Sequence, residues 1–305
     1  MNAATRDGIE SQDIPTRVAD LWFPDHGLVL QAGNRLFRVS GGILAARFPV
    51  FKDMLSFPQP EDPPLMEGCP IVVLHDSPAD AEYFLKAIFD SIFFERPPAP
   101  TTFSVVAGVL RLSTKYDVNY LRRRALLHLS SAMPCLCAEY DTVASTRTFY
   151  TPGSQFSRLL LIQDLGLTWA LPAAMYSVAC ASVEALVDGI SFEGTQVHLP
   201  PPIQRTCLIA RADLAVSQHH EILRFARSCP DGCDAHLCLQ TRQAVLDDLT
   251  KGSEVGPLTR VHRATWQTLK SGLCHFCYLE AKTQHRISIQ KIWDDIPKCR
   301  RVGAR

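Results

Sequence analysis

Apolar positions along this 305-residue chain recur with two different periods, and each switch between them marks an element. Residues 1–18 are polar and read as a flexible tail, with patterned sequence starting near Asp20. In LVLQAGNRLFRV (28–39), two short apolar runs flank Gly33-Asn34, the pattern of a β-hairpin with a tight turn. ILAARFPVFKDML (43–55) sets Ile43, Leu44, Phe48, Phe51 and Leu55 near helical spacing, and Pro49, which fits poorly inside a helix, splits the stretch into two short ones. PQPEDPPLMEGCP (58–70) reads as loop and IVVLHD (71–76) as a β-branched strand. Asp76 or Ser77 is placed to cap a helix with Pro78 in its first turn and Tyr83, Phe84, Ala87 and Ile88 on its apolar face. After the proline-rich 96–102, Phe103, Val106, Leu110 and Tyr116 return at mostly helical steps, followed by Leu121, Ala125, Leu126 and Leu129.

The stretch 111–129 carries Arg111, Lys115, Arg122, Arg123 and Arg124 against a single Asp117. On a 3.6-residue period the three consecutive arginines fall between Leu121 and Ala125, so they are expected to face water rather than to grip nucleic acid. Charge over the whole chain agrees: 31 basic and 31 acidic side chains cancel, leaving no long-range field to gather a polyanion or an anionic membrane. With 47% hydrophobic and 20% charged residues, the composition is that of a globular protein of about two domains. The N-terminus lacks the apolar core of a secretory signal, and no apolar run approaches 18 residues, so an intracellular protein, cytoplasmic or nuclear, is expected. In that setting the 11 cysteines are expected to be thiols or metal ligands rather than disulfides.

DLWFPDHGLVLQAGNRLFRVSGGILAARFPVFKDML, then IVVLHDSPADAEYFLKAIFD, then VLRLSTKYDVNYLRRRALLHL, in that order, resembles the BTB/POZ domain of the kind abundant in mushroom-forming fungi. The resemblance spans roughly residues 20–133. It is carried by Phe37 and Val39 ahead of a helix, by Asp76-Ser77-Pro78 with Leu85, Ile88 and Phe89, and by the run 115–118 with Leu121. It implies an α+β fold, a small sheet flanked by helices, over 19–134. It also implies self-association as a homodimer and a second face for a protein partner, which in the wider family is a cullin-type ubiquitin ligase scaffold or a corepressor. Trp22 and Phe23 are candidates for the dimer face, or equally for ordinary core. Ser40 stands where the family commonly has histidine, so no one member's partner carries over.

Beyond residue 134 an all-α region is expected: a helical extension over 135–228, then a Cys-containing helical region over 229–305. Residues 155–190 read as helix broken at Leu171-Pro172. The next helix has Ile203, Cys207, Ala210, Leu214, Ile222 and Phe225 as candidate core. SCPDGCDAHLC (228–238) is followed later by CHFC (274–277). Four thiolates satisfy a tetrahedral Zn²⁺, and a two-residue gap lets both sulfurs of one turn reach the same ion. Cys274 and Cys277 make one such pair, with a helix expected behind them. Cys233 and Cys238 are the favoured second pair, with Cys229 or His236 as substitutes. Two other readings stay open: buried cysteines acting as small hydrophobes, or a redox pair at Cys274 and Cys277.

No phosphate-cradling loop, nucleophile elbow or metalloprotease motif is present, and His219 and His220, adjacent on a helix, point about 100° apart. A non-enzymatic interaction module, acting as an adaptor or regulator, is therefore the leading expectation. The alternative is a zinc-dependent nucleic-acid regulator using the basic stretches 260–270 and 298–305. A protein, rather than nucleic acid or a membrane, is the expected partner.

Overall fold

The hairpin expected around Gly33-Asn34 forms the centre of a five-stranded mixed sheet in the computed structural model. The structure describes residues 14–57, 64–134, 137, 153–227, 229, 233, 236–251, 256–258, 261 and 263–296. Strands β2 (Leu28–Ala32) and β3 (Arg35–Val39) run antiparallel through a turn in which Gly33 takes φ +51°. Strand β5 (Cys69–Leu74) lies parallel to β2, and β4 (Leu65–Met66) pairs antiparallel with β5. At the opposite edge β1 (Thr16–Trp22) runs parallel to β3, giving the order β1-β3-β2-β5-β4.

Two of these strands lie where the amino-acid pattern gave none. β1 opens at Thr16, inside the segment read as tail, because it is an edge strand that buries only Leu21 and so shows no alternation. β4 lies inside the segment read as loop, and two residues are too few to carry a period.

The chain divides into two compact units, Met1–Leu129 and Ser130–Arg305. In the first unit, α1 (Gly41–Arg47) and α2 (Pro49–Ser56) are separate helices, split at Phe48 just ahead of the proline. Helices α3 (Pro78–Phe89) and α4 (Phe103–Lys115) follow, capped by the hydroxyls of Ser77 and Thr102, and then α5 (Asn119–Ala132). The sheet buries Val29, Leu30, Leu36, Phe37 and Val39, and the helices bury Leu44, Phe51, Phe84, Leu85, Leu110 and Tyr116. On α3 the buried face is Ala81, Phe84, Leu85 and Ala87, shifted from the expected one so that Tyr83 and Ile88 lie at its margins.

The second unit holds both the helical extension and the Cys-containing region, and it is not all-α. Helices α6 (Ser154–Asp164), α7 (Leu171–Ala179) and α8 (Val183–Asp188) replace the nearly continuous helix expected over 155–190. A hairpin of β6 (Ile190–Phe192) and β7 (Thr195–Val197) follows, turning at Glu193 and Gly194, both at positive φ. Strands of three residues leave no readable alternation, which is why the sequence hides them. Then come α9 (Pro201–Ser217), a π-helical turn (Gln218–Ile222), α10 (Arg224–Arg227), α11 (His236–Leu249), α12 (Arg263–Gly272) and α13 (His275–Asp295). Among the described residues no helix is long and apolar enough to cross a membrane.

Candidate metal centre

The start of α13 is built by its own cysteines. Cys274 is the N-cap in extended backbone (φ −63°, ψ 160°), and the Cys277 amide donates to its Sγ at 3.4 Å. A thiol thus stands where serine or aspartate usually caps, and the two-residue gap puts Cys277 on the first turn of the helix beside it. Cys238 lies in the first turn of α11, buried, and its Sγ accepts from the Cys274 amide at 3.2 Å. Cys233, half-buried, completes the group: the sulfurs of Cys233, Cys238, Cys274 and Cys277 all lie within 4.8 Å of one another. Zn–S bonds of about 2.3 Å imply tetrahedral S···S edges of about 3.8 Å, so a small contraction seats such an ion.

The four thiols differ electrostatically. Donation by the Cys277 amide and thiol, in an exposed position, lowers Cys274 to about 7. Burial pushes the Cys277 thiol well up, and the Arg242 guanidinium beside it pulls weakly the other way. Cys238 is drawn down by the Cys274 amide, but burial and the neighbouring thiols outweigh that and leave it raised. The substitutes considered for the second pair stay outside: Cys229 packs against the surrounding apolar cluster, and His236 is exposed at the start of α11. All described cysteines are free thiols.

Three other groups singled out in the sequence have structural partners. Trp22 is half-buried under the Arg17 guanidinium, 4.5 Å from its ring centroid, and packs on Val29, Leu36 and Cys69. Phe23 packs on the rings of His26 (5.3 Å) and Phe89 (5.8 Å). Both rings are thus partly used within the first unit, whereas Ile43 of α1, Val50 of α2 and Ile92 are exposed. In the basic stretch, Arg111 pairs with Asp80 at 2.9 Å, Lys115 with Asp76 at 2.6 Å, and Arg124 donates to the Phe94 carbonyl, so only part of that charge simply faces water. His219 and His220 sit edge to face, 5.6 Å apart, on the π-helical turn, and join no metal-binding cluster among the described residues.

The residue that sequence reading missed is Arg242. It is 2% exposed on α11, one turn after Cys238, and donates to the carbonyls of Phe225 and Cys277. Its only signal is position, since Cys238, Arg242 and Val245 share one helical face.

No protein-family model, curated protein or solved structure matches the chain.

Proposed function

We propose that the chain is a non-catalytic protein–protein interaction protein, an adaptor or regulator. In this reading its N-terminal α+β unit is a self-associating BTB/POZ-type module and its C-terminal unit is closed by one zinc ion. The observation that carries this is the sulfur quartet. Four protein thiolates fill every position of a tetrahedral ion and leave none for water or substrate, which is the design of a structural rather than a catalytic site. The buried-hydrophobe reading fits Cys238 and Cys277 but not Cys274, which is exposed while its sulfur turns toward the other three. The N-terminal unit supports the interaction reading through its element order: hairpin, paired short helices, strand and three further helices. It also leaves Ile43 and Val50 exposed on the paired helices, an apolar surface a second copy would cover. The partner beyond a second copy is proposed to be a cullin-type scaffold or a corepressor.

Metal analysis of the purified chain is expected to give about one zinc per chain, lost in Cys274→Ser. Light scattering at micromolar concentration is expected to give a dimer. Metal-free protein of unchanged stability would remove the zinc, and a monomer would remove self-association. A zinc-dependent nucleic-acid regulator has one observation in its favour: Arg263, Lys282 and Arg286 line a groove of the second unit together with Trp266 and Tyr278. Cations interleaved with aromatic rings suit a single strand, and a salt-sensitive mobility shift with single-stranded DNA would favour that reading.

A further inference from the structure

Arg242 is among the largest fully buried side chains of the molecule. Guanidinium cannot shed its proton in a protein, so, unlike a buried lysine, it has no neutral form to retreat to. A charge in that position is costly, and in folded proteins it is ordinarily paired with an opposite charge. No carboxylate forms an ion pair with Arg242 among the described residues. Its Nη atoms donate to two neutral carbonyls, Phe225 and, at 3.0 Å, Cys277, and its buried Nε has no hydrogen-bond partner. Those carbonyls solvate the cation without neutralising it.

Two members of the sulfur quartet neighbour Arg242. Cys238 is one turn away on the same buried face of α11, and the carbonyl that Nη2 reaches belongs to Cys277. The guanidinium therefore lies between the two helices that supply three of the four sulfurs. Four thiolates around a divalent ion carry a formal net charge of about −2, which a single buried arginine halves. Resting on the zinc reading above, we propose that Arg242 is the internal counter-ion of a metal tetrathiolate on Cys233, Cys238, Cys274 and Cys277. Arg242 is here a positioning and charge-compensating residue, and the metal and the arginine each make the other's burial tolerable.

The experiment compares the full chain with Arg242→Met and Arg242→Lys, each with and without metal. Co²⁺ serves as the optical probe, and Zn²⁺ affinity is read by competition with a chromophoric chelator. Wild type is expected to give the intense thiolate-to-Co²⁺ band of a tetrahedral four-sulfur site. Its absence would overturn the tetrathiolate and this inference with it. Given that band, Arg242→Met is expected to keep it while weakening Zn²⁺ binding by about 10- to 100-fold, the usual scale for outer-shell partners. Arg242→Lys is expected to stay nearer to wild type. The deciding readout is the sign of the stability change: Arg242→Met should lower the thermal midpoint of the zinc-loaded protein but leave unchanged or raise that of the metal-free protein. An equal loss in both forms, or unaltered Zn²⁺ affinity, would make Arg242 a simple strut to the Phe225 and Cys277 carbonyls and overturn the counter-ion role.

Discussion

Asp76 closes the passage from β5 to α3 by accepting from Lys115 Nζ at 2.6 Å and from the Tyr116 hydroxyl at 2.5 Å. The Tyr116 ring stacks on Phe51 (4.7 Å) and Phe84 (5.6 Å), so one residue joins the aromatic core to a carboxylate that is 7% exposed. Burial first, and the Asp76 carboxylate second, push its phenol well up, which keeps it a donor throughout the accessible pH range. Tyr116→Phe keeps the ring and removes the donor, and should cost about 1–3 kcal/mol, seen as a lower urea midpoint with unchanged slope. His128 gives the pH response. It is 1% exposed, with Nε2 at 2.6 Å from the Glu95 carbonyl, and burial lowers it below its ordinary value of 6.5. The unfolded chain therefore takes up a proton before the folded one does. Stability present above 6.5 is lost as the pH falls from there through the lowered folded value. Urea midpoints at pH 7.5 and 5.5 should show that loss, and His128→Gln should flatten it.

At the scale of elements, legibility followed the amount of apolar side chain each segment commits. β2 and β3 each bury most of their residues, so their runs and the intervening Gly33 stand out in the sequence, as does Ser77-Pro78 at a helix start. β1 buries one residue of seven, and β6 and β7 have three residues each, too little for any period. The C-x-x-C spacing, a local device, singled out Cys274 and Cys277, whereas Cys233 and Cys238 were favoured over Cys229 and His236 without being fixed by it. Arg242 was invisible, because charge ordinarily means exposure and only the assembled fold shows otherwise. Backbone constraint hides in the same way. Gly153 (φ +86°) precedes α6, and a Cβ there would stand 2.2 Å from the Ser191 carbonyl oxygen of β6. Gly166 (φ +62°) ends the next turn with nothing within 4 Å. Gly166→Ala should cost only the left-handed strain, about 1–2 kcal/mol. Gly153→Ala should cost visibly more in thermal midpoint, because backbone must shift. Equal losses would show that the hairpin yields freely.

For the whole molecule, the division at Leu129 and the location of the quartet would make loss of the proposed metal a regional event. Cys238 and Cys277 are members of the apolar cluster that includes Phe225, Val245, Leu269, Leu273 and Ala281, so whatever holds the sulfurs also holds α11, α12 and α13 at that point. The sheet of the first unit draws instead on Val29, Leu30, Phe37, Phe51 and Phe84, none of which is in that cluster. A ligand that binds only the folded form stabilises by RT ln(1 + [L]/Kd), about 4 kcal/mol at a thousandfold excess over Kd, and a chelator removes that contribution. Amide hydrogen exchange before and after chelation should therefore show protection collapsing over His236–Leu249 and the first turns of His275–Asp295, with Leu28–Val39 unchanged. Protection lost evenly across both segments would mean that the ion supports the chain globally. Protection unchanged in α11 and α13 would mean that the apolar cluster closes this end without metal, and the four sulfurs would then be packing groups alone.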